Sequence, residues 1–98
     1  MFVVVARYRT TLEHVGEVAA LLVPLAEASR REPGNRGYEV LVEADDPCSF
    51  AIVEHYADRA AFDVHLASAH YTGIAAAQVR PLLTERAVTF WNALVPGA

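Results

Sequence analysis

Two segments of this chain alternate like β-strands and yet are apolar on both faces, which limits the available folds more than any other feature. Phe2 to Arg9 reads FVVVARYR, and its Val3-Val4-Val5 run belongs near the middle of a sheet. Phe50 to Tyr56 reads FAIVEHY. Phe50, Ile52, Glu54 and Tyr56 fall on one of its faces and Ala51, Val53 and His55 on the other. A strand of this kind needs cover on both sides. In 98 residues, 54% of them hydrophobic, a single small core cannot supply all of it, so self-association is expected.

Between and after these strands the pattern changes period. Thr10 and Glu13 read as a capping box opening a long helix that ends near Arg31, with Val15, Val18, Ala19, Leu22, Leu25, Ala26 and Ser29 on one stripe. Pro24 lies almost opposite that stripe, where it predicts a bend rather than a break. Glu32-Pro33-Gly34-Asn35 stops the helix, with Gly34 available for a positive φ. Gly37 to Glu43 follows as a strand with one wetter face, and Asp45-Asp46-Pro47 turns it into the Phe50 strand, with Cys48 in that turn. Asp58 is placed to cap a second helix, and Ser68 to cap a further helical piece from Tyr71 to Val79, closed by Pro81. Arg86 to Ala93 forms the last strand.

The order βαββαβ is the ferredoxin-like, split βαβ arrangement of the α+β class. Right-handed crossovers put the first and third strands at the centre of a four-stranded antiparallel sheet, with both helices on one face. The other face, carrying Val3, Val5, Leu41, Val53 and Trp91 or their alternates, then needs a partner, and a second copy of the chain is the simplest one. Residues 1–98 read as one domain, because nothing marks a linker or a second core.

Charge narrows the partners. The formal net charge is −4, and the eight basic residues, all Arg, form no stripe, so nucleic acid is not expected. No apolar run reaches the ~18–20 residues of a membrane helix, and no basic segment precedes Phe2-Val3-Val4-Val5-Ala6, so the expected setting is cytoplasmic and away from membranes. Cys48 is the only cysteine and has no recognisable catalytic neighbour.

The valine-rich first strand, Glu32-Pro33-Gly34, Tyr38-Glu39, Val53-Glu54-His55-Tyr56, Phe62-x-x-His65, Ser68-x-His70-Tyr71 and the closing Phe90-Trp91 together resemble the antibiotic biosynthesis monooxygenase family over nearly the whole chain. The resemblance implies a dimeric α+β barrel made of two sheets packed face to face. It also implies cofactor-free oxidation of quinols and polyketide phenols by O2 in a cavity between sheet and helices. Relatives that degrade haem use an Asn, a Trp and a His at positions that here hold Ala6, His65 and Ala75, which disfavours that branch.

Glu54 and His65 are the candidate catalytic groups. Among Phe50, Ile52 and Tyr56 a carboxylate is expected to have a raised pKa through desolvation, unless an arginine or histidine pairs with it in a structural ion pair. His65 shares a core-facing stripe with Phe62, Leu66 and Ala69, where a ring can act as general base or hydrogen-bond donor, or be a satisfied core residue. Tyr56 and Phe62, which flank these two, and His70 and Tyr71, which follow the break between helical pieces, are the candidate substrate-binding residues, for packing a flat ring and closing over it. No metal is expected: His65 and His70 are five apart across the expected break, and no carboxylate or cysteine completes a set at ligand spacing. No glycine-rich phosphate loop supports flavin or nicotinamide, so no cofactor is expected. The leading expectation is a cofactor-independent monooxygenase acting on a small aromatic molecule and O2. The alternatives are a non-catalytic dimer that binds a small molecule, and an isomerase using Glu54 and His65 as an acid/base pair.

Overall fold

The computed structural model describes residues 1–95. Its elements are β1 (Phe2–Arg9), α1 (Val15–Arg30), β2 (Asn35–Glu43), β3 (Asp46–Tyr56), α2 (Arg59–Ala67), a π-helical segment (Tyr71–Val79), a 3-10 turn (Arg80–Leu82) and β4 (Glu85–Asn92). All strand pairs are antiparallel, in the order β2-β3-β1-β4, so β1 and β3 are central as the crossover rule requires.

The register separates the two faces. Val4 pairs with Glu54 and Phe90, and Ala6 with Ile52 and Val88, on the side covered by the helices. There Phe2, Val4, Ala6, Tyr8, Phe50, Ile52 and Tyr56 are buried, against Val18, Leu22, Leu25 and Ala26 of α1 and Phe62 of α2. On the opposite side Val5 pairs with Val53 and Thr89, Val3 with His55 and Trp91, and Leu41 with Ala51. No helix among the described residues covers this face: Leu41 is 42% and Trp91 58% exposed.

Four local details differ from the sequence reading. The Thr10–Glu13 capping box does not form. The Thr10 hydroxyl donates instead to the Leu82 carbonyl at 2.7 Å, and α1 starts at Val15 with His14 at its N-cap and no side-chain cap. A tertiary partner for Thr10 outcompetes the local one. Cys48 is not in the turn; it is buried within β3, which already begins at Asp46. Gly34 is not at positive φ. A Cβ there would collide with Ala61 of α2, so the position needs glycine for close approach of loop to helix. The last helical piece is a π-helix, with Arg80 N–H donating to the Ala75 carbonyl, a form enriched near functional sites.

α1 runs unbroken through Pro24, which is exposed. Proline in a helix interior costs up to ~3 kcal/mol relative to alanine. Pro24→Ala is therefore expected to raise the melting temperature by several degrees with no loss of fold, as read by thermal circular dichroism. A lower melting temperature would show that this site is adapted to its proline.

Candidate functional site

Between the helix-covered face of β1, β3 and β4 and the helices α2 and the π-segment lies a cavity of ≈ 300 Å3. Its sheet side is Val4, Ala6, Tyr8, Glu54 and Val88, its helix side Phe62, Leu66 and Tyr71, and the exposed Arg59, Arg86 and Phe90 also line it. The guanidinium of Arg59 lies 5.2 Å from the Phe2 ring centre and 5.3 Å from that of Phe90. A second hollow of ≈ 330 Å3 lies between α1 and β2, but its lining is largely apolar and its only titratable side chains are Glu27 and Arg30. Of the two, only the first is lined by a buried carboxyl, that of Glu54.

Glu54 reaches that cavity because even positions of β3 all point to the helices. Its Oε1 accepts from the Tyr56 hydroxyl at 2.5 Å. Burial lifts its pKa from 4.5 to about 7; the Tyr56 hydrogen bond opposes the rise and the charge of Glu32 adds to it. The Arg or His ion pair that would have held it ionised is not made at hydrogen-bond range: His65 Nε2 stands 3.7 Å away.

His65 is 1% exposed and sits behind Glu54 as seen from the cavity, outside its lining. The rings of Tyr38, Tyr56, Phe62, His70 and Tyr71 surround it, with centroids 5.2–6.3 Å distant. Burial pushes its pKa down, against the raising effect of its hydrogen bond to Glu32, so the ring is neutral at pH 7. Its Nδ1 lies 2.8 Å from Glu32 Oε2, and the Nε2 of His70 lies 2.5 Å from the same oxygen. With Nδ1–H donating to the carboxylate, the lone pair of His65 faces Glu54.

The structure thus brings all six expected site residues into one region, but in two layers. Glu54, Phe62 and Tyr71 line the cavity, while Tyr56, His65 and His70 stand behind it. The expectation that no carboxylate completes a set with the two histidines is overturned: Glu32, more than thirty residues upstream, touches both. Gly34 makes this possible, by letting the α1–β2 loop lie on Ala61. Glu32, Tyr8, Arg59 and Arg86 were not expected at the site. One signal for Glu32 did exist, since an acid just past a helix C-terminus is electrostatically misplaced unless something else holds it.

The Glu54 result carries a stability prediction. Its folded pKa is above the unfolded one, so its contribution to stability is complete below about pH 4.5 and is lost as pH rises through about 7. Glu54→Gln retains an acceptor for Tyr56 and cannot ionise. Relative to wild type it should gain stability with rising pH, by at most ~3 kcal/mol between about pH 5 and about pH 8.5. Urea unfolding at fixed protein concentration measures this, and a pH-independent difference would contradict it.

A four-stranded antiparallel sheet backed by helices on one face, with an acid/base cluster beside a partly open cavity, defines a two-layer α+β protein. The family model described as antibiotic biosynthesis monooxygenase matches residues 1–77, and the chain belongs to that family. Among similar solved structures, one described as an antibiotic biosynthesis monooxygenase is 31% identical with a TM-score of 0.90, covering 98% of this chain and 100% of its own. A Mycobacterium tuberculosis protein is 33% identical with a TM-score of 0.91, over 99% of this chain and 98% of its own. A Shewanella oneidensis protein is 32% identical with a TM-score of 0.85, over 92% and 87%. No curated protein matches the sequence. No helix among the described residues is long and apolar enough to cross a membrane.

Proposed function

We propose that the chain, acting as one cytoplasmic domain over residues 1–98 and as a homodimer, oxidises a quinol or polyketide-like phenol with O2 and without a cofactor. The observation that supports this best is Glu54: a carboxyl in an apolar cavity, with a pKa near 7 and a neutral histidine behind it. A general base works best when its pKa is close to the working pH.

Glu54 takes a proton from a substrate hydroxyl or an acidic ring CH2, and His65 Nε2 receives it or shares it. The resulting anion is electron-rich enough to pass an electron to O2. For an anthrone-type CH2 the balance is CH2 + O2 → C=O + H2O: one oxygen atom enters the product, the other leaves as water, and the substrate supplies all four electrons. Phe62 and Tyr71 pack the ring, and Tyr56 and His70 hold Glu54 and Glu32 in place. Arg59 and Arg86 at the exposed end suit a substrate bearing phenolate or carboxylate groups.

The test is oxygen consumption by metal-stripped protein over a panel of quinols and anthrones, against autoxidation in buffer. Rates above autoxidation support the reading. Tight ligand binding without oxygen uptake would instead make the protein a binder, and interconversion of substrate isomers without oxygen uptake would make Glu54 and His65 an isomerase pair.

A further inference from the structure

We propose that Glu32, His65 and His70 form a binding site for a first-row divalent metal ion of the zinc class, behind the cavity lining and sharing His65 with the proposed oxygenase site. The three ligand atoms, Glu32 Oε2, His65 Nδ1 and His70 Nε2, lie within 4.8 Å of one another. They come from three segments: the loop after α1, the last turn of α2 and the residue that precedes the π-segment. Two imidazoles and one carboxylate make an N2O donor set that suits zinc and its neighbours, with a coordination position left over.

A second observation points to a missing ligand. The Glu32 side chain is only 9% exposed, and its Oε1 is buried with no hydrogen-bond partner, while Oε2 takes both histidines. A buried carboxylate oxygen with no donor is costly. Neither Glu32 nor Glu54 has an arginine among the described ion pairs; the ion-pair partners of both are histidines. A divalent cation between Oε2 and the ring nitrogens would neutralise that charge, and the carboxylate could turn Oε1 onto it as well.

The surroundings fit a metal site. A ligating histidine usually presents its other nitrogen to an outer carboxylate, and His65 Nε2 faces Glu54 Oε1, which is itself held by Tyr56. Ser68 Oγ donates to the His65 carbonyl at 2.6 Å and accepts from Tyr71 N–H, fixing the hinge between the two histidines. The His70 side chain is 20% exposed and gives an entry path. Ligands at ~2.0–2.1 Å from a tetrahedral ion stand about 3.3 Å apart. The present separations of 2.5 and 2.8 Å from Glu32 have to lengthen to about that value, and the two ring nitrogens, already within 4.8 Å of each other, have to take up the same spacing.

The experiment uses the full chain stripped of metal and titrated with Zn2+ against a chromophoric chelator, with Co2+ as the spectroscopic substitute. The expected result is one ion per chain, visible Co2+ bands of four-coordinate type and a higher melting temperature with Zn2+. His70→Ala, whose side chain is partly exposed and whose fold circular dichroism checks, should weaken binding by more than the ~10–100-fold cost of losing an outer-shell partner. His14→Ala and His55→Ala, outside the cluster, should bind as wild type. Folded wild type that takes up no Zn2+ at micromolar concentration overturns the proposal. So does binding that survives His70→Ala or is lost with His14 or His55. Oxygen uptake by the stripped protein is a separate readout, so failure of the metal site and failure of the oxygenase reading remain distinguishable.

Discussion

Glu54→Gln and His65→Ala are each expected to slow oxygen-dependent turnover of the best quinol or anthrone by ~10²–10⁴-fold, the usual worth of a positioned general base. The Glu54→Gln side chain keeps the shape and the Tyr56 hydrogen bond but cannot take a proton at any working pH. The His65→Ala change removes the lone pair behind Glu54 and leaves a hole among five aromatic rings, so its effect mixes chemistry with packing. The two are separable by pH. Wild-type kcat/KM should rise as Glu54 ionises around pH 7, and that limb should vanish in Glu54→Gln. Phe62→Leu, which shortens the cavity wall without touching a titrating group, should raise KM and leave the pH limb in place. Full turnover by Glu54→Gln would remove Glu54 as the base and leave the cavity to a binding role.

Which features were legible in the sequence depends on how far apart their causes lie along the chain. Strand faces follow from a period of two, so Phe50, Ile52, Glu54 and Tyr56 were grouped on one face from one segment alone, while which face meets the helices stayed open until the sheet and helices were in place. Asp58 was also readable, because its carboxylate accepts from the Ala61 N–H three residues on, as a cap does. Thr10 had the same local signature, yet its hydroxyl finds Leu82, seventy-two residues away, and no local rule could weigh that partner. The cluster failed to show for the same reason. His65 and His70 are neighbours in sequence, but Glu32 joins them only because Gly34 lets its loop lie against α2. Tyr8 and Arg86 were overlooked because each is ordinary in its own strand; pairing of β1 with β4 puts them side by side, where burial raises the Tyr8 pKa and the Arg86 charge opposes the rise.

The second large effect concerns the open face of the sheet. Val5 sits at its middle, paired with Val53 on one side and Thr89 on the other, and the apolar surface extends to Val3, Leu41 and Trp91. Two such faces packed against each other bury a typical obligate interface of ~2,000 Å2 or more, and every residue on the face counts twice under two-fold symmetry. Val5→Glu should therefore place two facing, desolvated carboxylates at the centre of the contact, at a cost of several kcal/mol. The chain's own core lies on the other side of the sheet and is untouched by this change. The expected outcome is a dimeric wild type down to submicromolar concentration and a Val5→Glu variant that is folded by circular dichroism but monomeric by light scattering, or aggregated through its remaining exposed apolar surface. Glu39→Gln, at the edge of the same face, should leave the dimer intact and so separates a central effect from a general charge effect. A wild type that stays monomeric and soluble at micromolar concentration would show that something other than a second copy covers this face, and would take the barrel architecture with it.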